Sequence, residues 1–568
     1  MYTIAIIGLG PRGLHALEQL LLRLEKNQIG AKILLFDPTP WPGAGPVWSP
    51  EQPDTNWINS PEQSLTEMAT RPALNFDNIE IPAFSSYLEQ AEADPDSNDY
   101  IFPPRNKIGQ YLQQRFSSII DPLQQSPLLE YVQASIIDIK PLQSELQLTS
   151  KEQGTFTANE ALLCVGHQPT KLSEQLQNWK EQIAFNNSLH LFTGPYPISQ
   201  YEKLRTKVNP QIGIRGFGLA MLDVLRALSI NLAGKFRQTE ATTLGCEFVQ
   251  TTNPGLKIYT YALDNKPPAP KPINKSIDDR FAPTSEEMQQ LNEVLSKPPV
   301  NNRAKPSVDF VLNPVITICC RVFSEMQTKD RSLEEVKTVL EQWTTDENYK
   351  HPLILDTSLA VTEQIEAFIE MAAGNRQSSL DYCFGQVWRH CWPSLSARLS
   401  HAGLSGDSMH KLIKFDERIK RYSFGPPVDS MQQVLALVKA GILNLDFLDN
   451  PELELTDEGW KISKNGASVV VDTLINSVLD EPVLLEVVSP LFNNLRERKL
   501  VAAVHSELGV ITDHTTGLVN PYQANSPVKI ALPGSMAKGS EMGVDSISQA
   551  FGSKIEAWAD VAVRRAQD

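Results

Sequence analysis

YTIAIIGLGPRGLHALEQLLLRLEKNQIGAKILLFDP, residues 2–38, is the stretch on which the reading of the whole chain turns. Tyr2 to Ile7 is short, apolar and partly β-branched, the composition of a buried parallel strand. Leu14, Leu17, Leu21 and Leu24 recur at helical spacing and fall on one face. Lys32 to Phe36 reads as the next buried strand, and Asp37 closes it. Gly8, Gly10 and Gly13 stand between the first strand and the helix. Strand, glycine turn, helix, strand, acid is the context in which G-x-G-x-x-G carries meaning.

Each part of that unit has a physical task. Gly8 permits the tight turn, Gly10 lets a pyrophosphate approach the backbone, and Gly13 lets the helix pack closely on the strand. Free N–H groups and the dipole at the helix start favour phosphate charge. Asp37 is placed to accept hydrogen bonds from ribose hydroxyls. The unit predicts a dinucleotide site.

Composition narrows the partners. Hydrophobic residues make up 41% and charged residues 21% of 568, so the chain can bury a core, and its length argues for more than one domain. Lys+Arg number 51 against Asp+Glu 67, and the resulting net charge of -16 argues against nucleic acid as a partner. The cysteines, Cys164, Cys246, Cys319, Cys320, Cys383 and Cys391, form no C-x-x-C pair. They predict free buried thiols and no metal site. No stretch is apolar enough to span a bilayer, and the opening residues enter a strand without a basic leader. The expectation is a cytoplasmic protein acting on a small molecule, with room for a homo-oligomer.

Beyond Asp37 runs a long loop, PWPGAGPVWSPEQPDTNWIN, with Trp41, Trp48 and Trp57, which either wraps a ligand or covers core. Ile108, Tyr111, Leu112 and Phe116 predict a helix, and Arg105 at its start calls for an anion or carboxylate nearby. EALLCVGHQPT predicts a buried strand that ends at Gly166, where a ligand can approach the backbone. His167 follows, either touching a cofactor, where it is a candidate for a catalytic role, or serving structure.

QIGIRGFGLAMLDVLRALS is a second, incomplete cassette. Gly216 and Gly218 make its turn, and Met221 occupies the third glycine position. It reads either as a nicotinamide-nucleotide turn or as a plain βα unit; Lys235 and Arg237 beyond the helix could meet a ribose 2′-phosphate. NKPPAPKPINKS then predicts an extended connector. Helical patterns follow at Ser285–Leu295, Ser332–Trp343, Thr362–Ala373 and Tyr382–Leu399, where Arg389 and His390 are candidates for a catalytic role. ASVVVDTLINSVL predicts one buried strand, and the closing segment a strand, a glycine-rich loop and a helix capped at Asp545 or Ser546.

GLGPRG, FDP with PGAGPVW, PPRNKIGQYL, LLCVGHQP, GIRGFGLAMLDV, RYSFGPP and GVDSISQA occur in this order along nearly the whole chain. In these stretches the sequence resembles the bacterial FAD-NAD(P)-binding family of two-domain flavoproteins. More distantly it is similar to flavin monooxygenases that N-hydroxylate amines, including one that oxidises the amino group of aspartate. The resemblance implies an α/β fold: a discontinuous Rossmann-like FAD-binding domain with an inserted NAD(P)-binding-like domain and a helical insertion. The expected boundaries are 1–175, 176–265, 266–420 and 421–568, the last returning to the FAD domain. It implies FAD at Gly8, Gly10, Gly13, Asp37 and Asp545; Pro11, Arg12, Trp48, Arg105 and Gly166 are further cofactor-binding candidates. NADPH or NADH would sit at Gly216 and Gly218, with Lys235 and Arg237. The activity implied is NAD(P)H-dependent oxidation of a small polar amine; an oxygen-independent reductase, or a flavin-binding sensor or assembly subunit, are the alternatives.

Overall fold

The computed structural model describes residues 1–298, 308–327, 331–519 and 528–567. The chain opens with strand β1 (Thr3–Ile7), helix α1 (Pro11–Asn27) and strand β2 (Lys32–Phe36). Helix α2 (Arg105–Leu123) leads to β3 (Leu129–Val132), and β4 (Glu160–Leu163) follows. Next come β5 (His190–Phe192), β6 (Gln211–Arg215) and α3 (Leu219–Leu232). The hairpin β7 (Gly234–Gln238) and β8 (Cys246–Gln250) precedes β9 (Lys257–Tyr261).

A helical block holds α4 (Ser285–Leu295), α5 (Asp309–Met326), α6 (Leu333–Thr345), α7 (Val361–Ala372), α8 (Leu380–Leu399), α9 (Gly406–Ser423) and α10 (Val428–Lys439). The closing elements are β10 (Leu443–Asn444), β11 (Thr473–Asn476), β12 (Ile530–Ala531), α11 (Ile547–Ala550) and α12 (Ser553–Gln567).

Two parallel five-stranded sheets organise these elements. The first has the order β12-β4-β1-β2-β3 and the second β5-β11-β6-β9-β10. Ile6 of β1 pairs with Leu35 on one side and Leu162 on the other. Ile214 of β6 likewise lies between Thr260 and Ile475. In each sheet the strand before the glycine turn is flanked by a later strand of its own unit (β2 in the first, β9 beyond the β7–β8 hairpin in the second) and by a strand from farther along the chain. The order reverses at that strand, and ligands of open α/β sheets bind at such reversals.

The predicted face of α1 is buried: Leu14, Leu17, Leu21 and Leu24 join Ile108, Leu112 and Phe116 of α2 and Trp558 of α12. Each such side chain contributes roughly 1.5–3 kcal/mol on leaving water. Ile212, Ile214 and Ile258 of the second sheet share one core with Cys319, Phe384 and Trp388 of the helical block. The insertion therefore packs directly on the nucleotide-type sheet. All the cysteines are free thiols. Among the described residues, no helix is long and apolar enough to cross a membrane.

Three expectations need correction. The proline-rich connector is extended but buried throughout residues 266–272, because it threads between helices: Ala269 donates its N–H to the Arg421 carbonyl and Lys271 to that of Pro426. ASVVVDTLINSVL is two strands, an antiparallel one at Ala467–Val471 and parallel β11, since Asp472 breaks the run. Strands β10 and β11 belong to the second sheet, so the return to the first comes well after residue 421.

Candidate functional site

At the first turn the glycines divide their tasks as the sequence predicts. A Cβ on Gly8, whose φ is +93°, would lie 2.4 Å from the Cys164 carbonyl oxygen at the end of β4. On Gly13 it would lie 2.1 Å from the Gly8 carbonyl oxygen, so helix and turn touch only because both residues are glycine. On Gly10 it would meet nothing nearer than the Ala44 carbonyl oxygen at 3.9 Å, which leaves room above the backbone. No side chain caps α1 at Gly10 and no acid stands in its first turn. That combination fits a pyrophosphate.

Asp37 is 4% exposed and already engaged. One oxygen accepts the Leu9 N–H at 2.6 Å, and the other accepts the Thr39 N–H at 2.8 Å and its hydroxyl at 2.6 Å. The carboxylate thus ties the glycine loop to the end of β2, with little acceptor capacity left for a ribose.

The C-terminal return lines the other side of this turn. Arg12 donates to the Val544 carbonyl at 3.3 Å, and a Cβ on Gly534 would strike its guanidinium. Nothing lies within 4 Å of a Cβ built on Gly166, and His167 beside it is exposed. Asp545 pairs with Lys420 of α9 at 3.5 Å. Burial opposes its charge, but Lys420, Lys538 and His167 hold its carboxyl below the usual range. Ser546, not Asp545, stands at the N-cap position, and of the short α11 rather than of α12; its side chain makes no cap hydrogen bond. Trp48 is half-buried and packs on the first core.

The second turn repeats the first. A Cβ on Gly216, at φ +108°, would lie 2.9 Å from the Ser477 hydroxyl beyond β11, and one on Gly218 would meet nothing within 4 Å. Met221 is wholly buried, filling the space that a third glycine would leave. A cavity of about 450 Å³ opens in front of Gly218, with Lys266, Arg418, Lys420, Arg421 and Phe424 on its walls. That volume suits a small-molecule ligand.

Lys235 and Arg237 lie elsewhere. Strand β7 pairs only with β8, outside the parallel sheet. Lys235 is exposed, and Arg237, with its side chain 68% exposed, pairs with Glu247. The strand that follows α3 in sequence, β7, is not the one paired with β6, which is β9, so the structure does not bring Lys235 and Arg237 to the cavity at Gly218.

Arg105 finds its carboxylate in Asp223 of α3, at 2.8 Å. Tyr196 donates to the same carboxylate at 2.6 Å, the Trp57 N–H approaches at 3.3 Å, and Arg226 lies at 3.4 Å. Burial works against the Arg105 charge, but Asp223 and Tyr196 outweigh it and raise its pKa. Arg226 stacks on the Trp57 ring at 3.9 Å and donates to Ser430 of α10. One carboxylate thus joins the first segment to the second sheet, and Arg226 beside it reaches α10 through Ser430; the carboxylate was visible in the sequence only as the Asp of GLAMLDV. Arg389 and His390 both bind Asp278, the histidine at 3.1 Å, and Tyr100 donates to that carboxylate at 2.8 Å. They hold the insertion to the first segment. Among the described residues, no cluster of His, Cys, Asp and Glu could hold a metal.

Comparison with known proteins agrees with this geometry. Residues 5–168 match the family model described as FAD-NAD(P)-binding. Nitrosuccinic acid synthase of Aspergillus oryzae is 24% identical over 533 residues, 87% of this chain and 80% of its own. An uncharacterized Escherichia coli protein, YdhS, is 24% identical over 247 residues, 40% of each chain. The crystal structure of L-lysine 6-monooxygenase from Pseudomonas syringae aligns over 100% of this chain and 99% of its own, at 13% identity and a TM-score of 0.49. The open glycine turn at Gly8, Gly10 and Gly13 lies within residues 5–168, the stretch of this chain that matches the FAD-NAD(P)-binding model.

Proposed function

We propose that this chain is an FAD-dependent oxidoreductase that draws on NAD(P)H, and specifically a monooxygenase that places oxygen on the nitrogen of a small polar amine. The observation that carries the two-nucleotide part is the repeated switch-point turn. Gly8 abuts the end of β4 and Gly216 abuts the residue after β11, while Gly10 and Gly218 each leave open space. FAD, held at Gly8, Gly10, Gly13, Arg12 and the Gly166 edge, supplies the redox chemistry when bound. The chain's own residues position and shield. The Lys420–Asp545 pair joins the cavity wall to the C-terminal return, so the nicotinamide pocket and the flavin edge share one boundary. Phe217, Leu219 and Phe424 add apolar surface to a cavity wall that also carries Lys266, Arg418, Lys420 and Arg421.

The amine substrate is supported by the relative that aligns over 87% of the chain, whose name specifies a dicarboxylic acid bearing an oxidised nitrogen as its product. The test is to supply FAD-loaded protein with NADPH, oxygen and a panel of small amines and amino acids. The reading expects one amine to accelerate NADPH consumption and to appear as its hydroxylamine or a further-oxidised product. NADPH consumption that yields only hydrogen peroxide with every amine, or that proceeds only without oxygen, would favour the reductase instead.

A further inference from the structure

The second nucleotide unit runs β6, α3, β9, and in such units the segment after the second strand lies beside the adenosine ribose. Here that segment supplies Asp264 and Lys266. The Asp264 carboxylate is occupied: Arg421 of α9 pairs with it at 2.7 Å and the Lys266 N–H donates to it at 3.1 Å. Lys266 is 9% exposed, and its ammonium donates to the Glu347 carbonyl at 3.2 Å and to Asn348 Oδ1 at 3.1 Å, both uncharged acceptors. Arg418 lines the same cavity and donates to the Thr344 carbonyl at 2.7 Å, while its Nε is buried without a hydrogen-bond partner. The acids on the wall are Glu347 and Glu417, and Glu417 is already held by Lys420 and Lys538. Arg421 and Lys420 are thus matched by Asp264 and Glu417, whereas Lys266 and Arg418 donate to neutral acceptors; a buried ammonium with no carboxylate hydrogen-bonded to it is a costly arrangement that an anion would offset.

We propose that Lys266, Arg418 and Arg421 form the pocket for the 2′-phosphate of NADPH. Two of its three cations come from the helical insertion, so the insertion, not the strand after α3, selects NADPH over NADH. Asp264, which would otherwise repel the phosphate, instead orients Arg421. The proposal rests on the reading that the second turn receives NAD(P)H.

The test is calorimetric titration of the FAD-loaded protein with adenosine 2′,5′-bisphosphate and with adenosine 5′-monophosphate. The bisphosphate is expected to bind at least about tenfold tighter, the scale of charge-assisted hydrogen bonds. Lys266→Met and Arg421→Gln should each shrink that ratio severalfold in protein that still folds and keeps its full flavin content. The Lys235→Ala/Arg237→Ala double variant should keep it. Equal affinities in the wild-type protein, or an unchanged ratio in both folded pocket variants, would overturn the proposal. If NADH and NADPH then reduce the flavin equally, the oxidoreductase reading survives and the pocket does not. If neither adenine nucleotide binds and neither dinucleotide reduces the flavin, both readings fall.

Discussion

Arg105, in the first turn of α2, and Asp223, on α3 behind the second glycine turn, meet at 2.8 Å in a largely buried ion pair. The pair joins two segments that each carry their own sheet. Asp223 also faces Arg226, so removing its charge leaves two guanidinium groups without their carboxylate. Asp223→Asn should destabilise the protein by about 3–5 kcal/mol, the usual cost of breaking a buried pair from one side. Urea unfolding measures this, and an unchanged midpoint would show that the pair does not hold the segments together.

The glycines of the first turn should separate by phenotype. Gly13→Ala forces a methyl group against the Gly8 carbonyl and should lower stability by about 1–3 kcal/mol through overpacking. Gly10→Val should fold, because the space above Gly10 is open, yet lose flavin by filling the place of the pyrophosphate. Thermal melting and flavin absorbance together check both. A Gly10→Val protein that retains FAD would place the cofactor elsewhere.

Gly218→Val offers the matching test of the second turn. No atom lies within 4 Å of its added Cβ, so folding and FAD content should be unchanged while reduction by nicotinamide nucleotide slows. Loss of folding would mean that this turn serves packing alone.

Lys271 predicts a pH dependence of stability. Burial, with help from Arg389, pushes its pKa down to about 7, against a partial opposing pull from Asp278. The unfolded chain binds this proton up to the ordinary value of 10.5, so between pH 7 and 10.5 it holds more protons than the folded one. Stability must then rise with pH across that window, the penalty being full below pH 7 and gone above 10.5. Lys271→Met should be more stable than wild type near neutrality, and the difference should vanish toward pH 10.5. A difference that is constant with pH would mean that Lys271 does not titrate in this range.

Both glycine cassettes were legible because strand, turn and helix are contiguous there, and Leu14, Leu17, Leu21 and Leu24 fall on the buried face that their spacing predicts. Helices α4, α6, α7 and α8 of the insertion were legible for the same reason, whereas α5, α9 and α10 were not read from the sequence. Sheet order was not, because it depends on pairings between distant segments: β11 reaches β6 from across the whole insertion. Strand β7 misleads, since it follows α3 directly and yet turns away into a hairpin. Asp223 gave no local signal because its partners, Arg105, Tyr196 and Trp57, are scattered along the chain. The cations of the cavity wall share that difficulty, as Arg418 and Arg421 reach Gly218 only through the packing of α9.

The most direct measurement of the central claim is anaerobic stopped-flow mixing of the FAD-loaded protein with NADPH, followed by the flavin absorbance. The account predicts that the flavin bleaches as the nucleotide is oxidised, and that Gly218→Val, with its FAD still bound, bleaches much more slowly. A flavin that stays oxidised with both NADPH and NADH, in a protein that is folded and fully loaded, would contradict it.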